Sequence, residues 1–112
     1  MRDIWGHLIE KNTNDKNLSV LITDIPLGSK SQKYETAKVM FESLNVQNLS
    51  IMNSAVLSLF ATGRTTGIVI ESGAGITTAV PIFEGYALNH AIQRINLAGH
   101  DVTNHLLESL MN

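Results

Sequence analysis

Apolar residues recur along the chain in two rhythms, and each change of rhythm marks an element. Ile4, Trp5, Leu8 and Ile9 fall at helical spacing, so the first ten or so residues read as a short amphipathic helix, broken by the polar run NTNDKN at 12–17. The aliphatic and β-branched stretch LSVLITDI (18–25) predicts a buried strand that ends at Pro26 and the loop PLGSKS. From Ser31 the period is helical again. Tyr34, Ala37, Phe41 and Leu44 share one face, Lys33, Lys38 and Glu42 hold the other, and Ser31 is placed to cap the N-terminus. NLSIM (48–52) reads as a short strand. Asn53 or Ser54 can then cap a second helix, AVLSLFAT, whose Ala55, Val56, Leu59 and Phe60 are apolar enough to be mostly buried and which stops at Gly63.

After the turn GRTTG the period shortens. GIVIE (67–71), ITTAVPIFEG (76–85) and HAIQRINL (90–97) read as three strands in succession, and a last helix after Gly99 sets Val102, Leu106 and Leu110 on one face. A hinge-like stretch, TGRTTG (62–67), divides a β/α part from a β-meander part, with no low-complexity tract between them. The predicted class is α/β.

Composition narrows the partners. With 112 residues, 44% of them hydrophobic, the chain has material for a small core. Its 16% of charged residues and net charge of -2 supply no positive excess for a nucleic-acid backbone or an anionic membrane surface. The absence of cysteine excludes disulfides, thiolate metal sites and cysteine nucleophiles. Arg2, Asp3, Glu10 and Lys11 stand where a secretory signal needs an apolar run, and no stretch reaches membrane-spanning length, so no membrane insertion and a cytoplasmic location are expected.

Few side chains advertise chemistry. His7, His90, His100 and His105 are neither paired nor at a helical metal spacing and read as surface or boundary residues; Lys30 and Lys33 read as a solvated face, and Asp101 as an acid favoured at a helix start. ESGAG (71–75) is the exception. By spacing alone it is either a hairpin turn whose glycines supply unusual φ angles or a cradle for a phosphate beside a carboxylate, and a lone glycine pair does not decide between them.

The order of short motifs over 55–101 decides more. A Leu-Ser-Leu helix, Gly-Arg-Thr-Thr-Gly, Val-Pro-Ile, Glu-Gly-Tyr-Ala-Leu, His-Ala-Ile and Leu-Ala-Gly follow one another as they do in actin and the actin-related proteins, and VLITDIPLGSK, VMFESLNV and IWGHLIEKN extend the match upstream. The chain closely resembles that family over nearly its whole length. The resemblance implies a partial actin-like fold, of the ribonuclease H-like superfamily that actin shares with the heat-shock chaperones, with incomplete sheets from both halves. Residues 1–63 resemble the latter part of the first half and 64–112 the opening of the second.

The family binds ATP or ADP with magnesium between two phosphate loops, and only the second has a counterpart in this chain. The resemblance makes Gly73, Ala74, Gly75 and Ile76, with Gly99 of Leu-Ala-Gly, the candidate nucleotide contacts. The departures fall on the chemistry. The loop's first acid, which orders the metal's water shell, is Glu71, one methylene longer than the family's aspartate; its second aspartate is Ala74; the glutamine that places the attacking water aligns with Ser54; and the histidine after the loop aligns with Thr78. Loss of one preorganised hydrogen bond typically costs about 100-fold, so several such losses predict no ATPase activity. No bound cofactor is expected, unless a partner completes the pocket for ATP or ADP with magnesium held through Glu71.

Partner binding can outlast catalysis. Phe60, Gly63, Thr65, Gly85 and Tyr86 match part of the cleft through which the family receives binding proteins and neighbouring filament subunits. Cut sheets leave edges and apolar faces, and Val20, Leu21, Ile22, Val69, Ile70, Val80, Ile82 and Ile95 are expected to face missing neighbours. The expectation is a truncated actin-like structural subunit of a cytoskeletal or other multiprotein assembly. The alternative is a fragment of a full-length actin-like protein that binds ATP and polymerises into filaments.

Overall fold

The computed structural model describes residues 2–12 and 18–111; the helix-breaking run expected at 12–17 lies outside them from residue 13 onward. Contacts divide the chain into two compact units. One is drawn from residues up to Asp24 and Gly28–Met52, the other from Ile25–Leu27 and Asn53 onward.

The first unit holds helix α1 (Arg2–Asn12), strand β1 (Ser19–Asp24), helix α2 (Lys30–Lys38) and most of strand β2 (Asn48–Asn53). The N–H groups of Gln47 and Asn48 both donate to Leu18 O, and Asn48 Nδ2 donates to Ser19 Oγ at 3.1 Å. The two strand starts therefore lie side by side, as in a parallel pair joined by a helical crossover. The cap of α2 is Ser29, not Ser31. Ser29 Oγ accepts from Gln32 N–H and Gln32 Oε1 accepts from Ser29 N–H, each at 3.2 Å, a capping box that the hydroxyl two residues later cannot form.

The expected apolar face of this helix is also corrected. Tyr34 and Phe41 are exposed, Ala37 and Leu44 half-buried, and Met40 is the residue that is buried, at 2% exposure. From Val39 onward the reason is a π-helical turn at Val39–Ser43, in which Leu44 N–H reaches Val39 O and the phase of a strict 3.6-residue period shifts; α2 before it buries no residue. Gly6 of α1 lies against Leu44, and Lys33 Nζ pairs with Asp24 Oδ2 at 3.2 Å.

The second unit is a sheet with one helix packed on it. Strand β4 (Thr77–Phe83) is central, pairing antiparallel with β3 (Gly67–Ser72) on one side and with β5 (Tyr86–Ala87) and β6 (Gln93–Ile95) on the other. Helix α3 (Ser54–Ala61), capped by Asn53 Oδ1 accepting from Ala55 N–H, lies over the face that carries Val69 and Glu71. Ala55, Val56, Leu59, Thr78, Val80, Ile82, Ile92 and Ala98 are buried. Phe60 is exposed, against the expectation of a mostly buried position.

Val80 and Ile82 therefore do not face missing neighbours: they alternate inward along β4 and are covered by this unit. On β3 the open face belongs to Ile70 and to Ile68, which the sequence reading passed over, at 71% and 69% exposure; Leu21 and Ile95 are exposed as expected, and Val20, Ile22 and Val69 are half-buried. The third expected strand, 90–97, is shorter than read. A 3-10 turn at Asn89–Ala91 precedes β6, and the two residues of β5 form the ladder that follows the Glu84–Gly85 turn. Both turn residues have positive φ, 47° and 83°, the left-handed pair that joins two twisted strands with two residues.

Helix α4 (Gly99–Met111) begins where Asp101 Oδ2 accepts from Ala98 N–H at 2.9 Å, which makes Asp101 a helix-start acid. Its Val102, Leu106 and Leu110 stay exposed. The boundary expected after Gly63 concerns descent from two halves of a larger fold, whereas packing separates the units at Met52/Asn53 because α3 rests on β3.

Candidate functional site

Residues 73–76 close the hairpin between β3 and β4, and α4 starts against them. Gly73 N–H donates to Ile76 O at 3.0 Å; Gly99 N–H and His100 N–H donate to Gly73 O and Ala74 O at 2.9 and 2.8 Å. The carbonyls of the loop are thus tied to the first turn of α4. The N–H groups of Ala74, Gly75 and Ile76 make no hydrogen bond among the described residues. Three neighbouring N–H groups left open in a turn have the polarity that suits a phosphate oxygen.

The glycines work differently from the sequence expectation. Neither Gly73 nor Gly75 has a positive φ, so this hairpin is not held by unusual backbone angles at those two positions. A Cβ at Gly75 would meet nothing within 4 Å, and one at Gly73 would meet only Ile76 O at 3.7 Å, so the space above the loop is open. Gly99 is required by close approach, because a Cβ there would sit 3.2 Å from Gly73 O. With its N–H already bound to Gly73, Gly99 supports the loop from behind and has no N–H to offer a ligand.

Ser54, Glu71, Gly73, Ile76 and Thr78 come together around a cleft of about 230 Å³, joined by Ile25 and Pro26, which the sequence reading did not place there. Glu71 is the centre of its polar side. Ser54 Oγ donates to Glu71 Oε2 at 2.8 Å and Ser58 Oγ donates to Oε1 at 3.1 Å. Ser58 was also missed. Its signal was its spacing: Ser54 and Ser58 stand four apart on α3 and so share one face of the helix.

A magnesium ion needs hard oxygen ligands around an octahedron, most of them waters oriented by carboxylates. Each oxygen of Glu71 accepts one serine hydroxyl, and the described residues contain no group of three histidines, cysteines, aspartates or glutamates able to hold a metal. The loop's N–H groups have the polarity for a phosphate, and the carboxylate beside them is drawn toward α3 by its two serine donors.

The second candidate cluster lies at the far end of the same sheet. Gly63 N–H donates to Phe60 O at 2.9 Å, Gly85 N–H donates to Thr65 O at 2.7 Å, and a Cβ on Gly85 would meet Phe60 Cζ at 3.0 Å. Phe60, Gly63, Thr65 and Gly85 are therefore neighbours, and Glu84 N–H reaches Thr66 Oγ1, a contact that sequence reasoning did not find. Tyr86 follows directly and is 78% exposed.

The family model for Actin matches residues 1–112. The chain belongs to the actin family. The mixed α/β architecture with its small sheets is that of a partial actin-like fold. In this chain the hairpin Glu71–Gly75 keeps the N–H groups of Ala74 and Gly75 open, and its acid accepts from two serines. No helix among the described residues is long and apolar enough to cross a membrane.

Proposed function

We propose that this actin-family chain serves as a non-catalytic structural subunit of a multiprotein assembly, cytoskeletal and cytoplasmic, and that it does not hydrolyse ATP. The observation that carries the reading is the state of the acid. Glu71 accepts a hydrogen bond from Ser54 on one oxygen and from Ser58 on the other, so the carboxylate is drawn toward α3 and spends half of its acceptor sites there. The positions where the family places its water-orienting glutamine and histidine carry the short side chains of Ser54 and Thr78, and Thr78 is buried. Hydrolysis depends on positioning, and each positioning group lost removes about 2.7–4 kcal/mol of transition-state stabilisation.

Partner binding is supported by what stays uncovered. Ile68 and Ile70 on one side of the sheet, and Val102, Leu106 and Leu110 on α4, expose apolar surface that a protein partner would bury. The antiparallel sheet is read as part of the larger sheet of a ribonuclease H-like half.

A second reading, in which nucleotide is bound and the chain enters filaments, is favoured by one feature: the open N–H groups of Ala74, Gly75 and Ile76. The two are separated by purifying the chain with its partners at native expression and assaying the eluate for bound nucleotide and ATP hydrolysis. A stoichiometric complex without ATP or ADP is the expected result. Bound nucleotide with magnesium, hydrolysis above the level of a control eluate, or a monomer without partners overturns the structural reading.

A further inference from the structure

The two serine hydroxyls on Glu71 point to a structural use of the carboxylate. The structure assigns Glu71, Ser54 and Ser58 to a latch that fastens the phosphate-loop hairpin to the start of α3 without any metal ion. Three features converge on it. Glu71 is the penultimate residue of β3, on the face that α3 covers. Ser54 is the first residue of α3, so the carboxylate is held at the electropositive end of that helix, where a negative charge is favoured. Ser58 sits one turn further along, and together the two hydroxyls take one carboxylate oxygen each, at 2.8 and 3.1 Å.

The lengths of the side chains make the contact: glutamate is long enough to bring its carboxylate to the helix, and serine is short enough to leave room for it. This latch underlies the absence of hydrolysis in the proposed function, but it is independent of whether the chain has partners.

The test is the thermal midpoint of the whole chain, followed by circular dichroism with and without millimolar Mg²⁺. Magnesium should leave the midpoint of the unmodified chain unchanged. Glu71→Ala and the pair Ser54→Ala with Ser58→Ala should each lower it by about 4–8 °C, the shift expected when a small domain loses one part-buried hydrogen-bonded connection. Combining them should lower it little further, because both remove the same connection.

Two milder variants keep the test decisive if the alanine chains do not fold. Glu71→Gln, which can accept one hydroxyl and donate to the other, should keep most of the midpoint, whereas Glu71→Asp, too short to reach both serines, should lose it. A metal role for the carboxylate demands the reverse order, together with a magnesium-induced rise in the unmodified chain. Either of those results, or full additivity of the serine and glutamate changes, overturns the latch. Partner recovery at native expression reads the other half of the proposed function and is untouched by these outcomes.

Discussion

Gly63 and Gly85 form a matched pair within the candidate partner-binding cluster, and comparing them isolates one contact. Their φ angles are +76° and +83°, so an alanine at either meets nearly the same backbone penalty, about 1–2 kcal/mol for an L residue in the left-handed region. Alanine also restricts the unfolded chain, which returns about 0.4–1 kcal/mol. The backbone balance is a loss of roughly 1 kcal/mol at each site. Their surroundings differ. A Cβ at Gly63 meets nothing within 4 Å, whereas one at Gly85 falls 3.0 Å from Phe60 Cζ and 3.4 Å from Cε1.

Phe60 is 41% exposed and the atoms approached are the far edge of its ring, so the ring can turn aside, giving up part of its packing. Moving an aromatic ring off its preferred rotamer adds on the order of 1 kcal/mol. Gly85→Ala should therefore be less stable than Gly63→Ala by about 1 kcal/mol. Urea denaturation of both variants, followed by far-ultraviolet circular dichroism, measures the difference. Equal losses would refute the Phe60 contact as an energetic element of this cluster. No loss at either position would refute the assignment of both turns.

Other perturbations probe the core and the helix start. Val80→Ala removes two buried methyl groups from the centre of β4, a loss of about 2–3 kcal/mol once the cavity is included, visible as a lower urea midpoint with an unchanged slope. Ser29→Ala breaks the capping box of α2 and should cost about 1 kcal/mol, while Ser31→Ala, two residues later, should cost a few tenths at most; the same denaturation assay ranks them. A reversal of that order would place the cap where the sequence pattern alone put it.

Much of the element order was legible, because each element rests on a local pattern. The alternation in ITTAVPIF sends Thr78, Val80 and Ile82 inward, and Asn53 caps the helix that follows it. The cap of α2 was misplaced because a hydroxyl two residues away satisfies the same rule, and only the reciprocal reach of Gln32 distinguishes them. The face of Phe41 was misread because a π-helical turn at Val39–Ser43 adds a residue that periodicity does not register, and Tyr34 because α2 buries none of its residues. In the candidate site, the motif series identified the loop residues. Ser58, Ile25 and Pro26 stand within the motifs Leu-Ser-Leu and VLITDIPLGSK, but nothing in a motif marks them for the site: only folding brings Ile25 and Pro26 to the cleft and Ser58 to Glu71.

The sequence by itself determined the family and the α/β class, since residue identity and order are enough for each. The tertiary structure decided what surrounds the loop acid. Whether a carboxylate faces a metal's water or two hydroxyls depends on distances of a few ångströms between elements 13 to 17 residues apart, which no local pattern encodes. Folding brought Ser54 and Ser58 to Glu71, turned the loop's carbonyls toward α4 and left its N–H groups open. It also exposed Ile68 and Ile70 while burying Val80 and Ile82, because the face that α3 covers is fixed by packing and not by hydrophobicity alone.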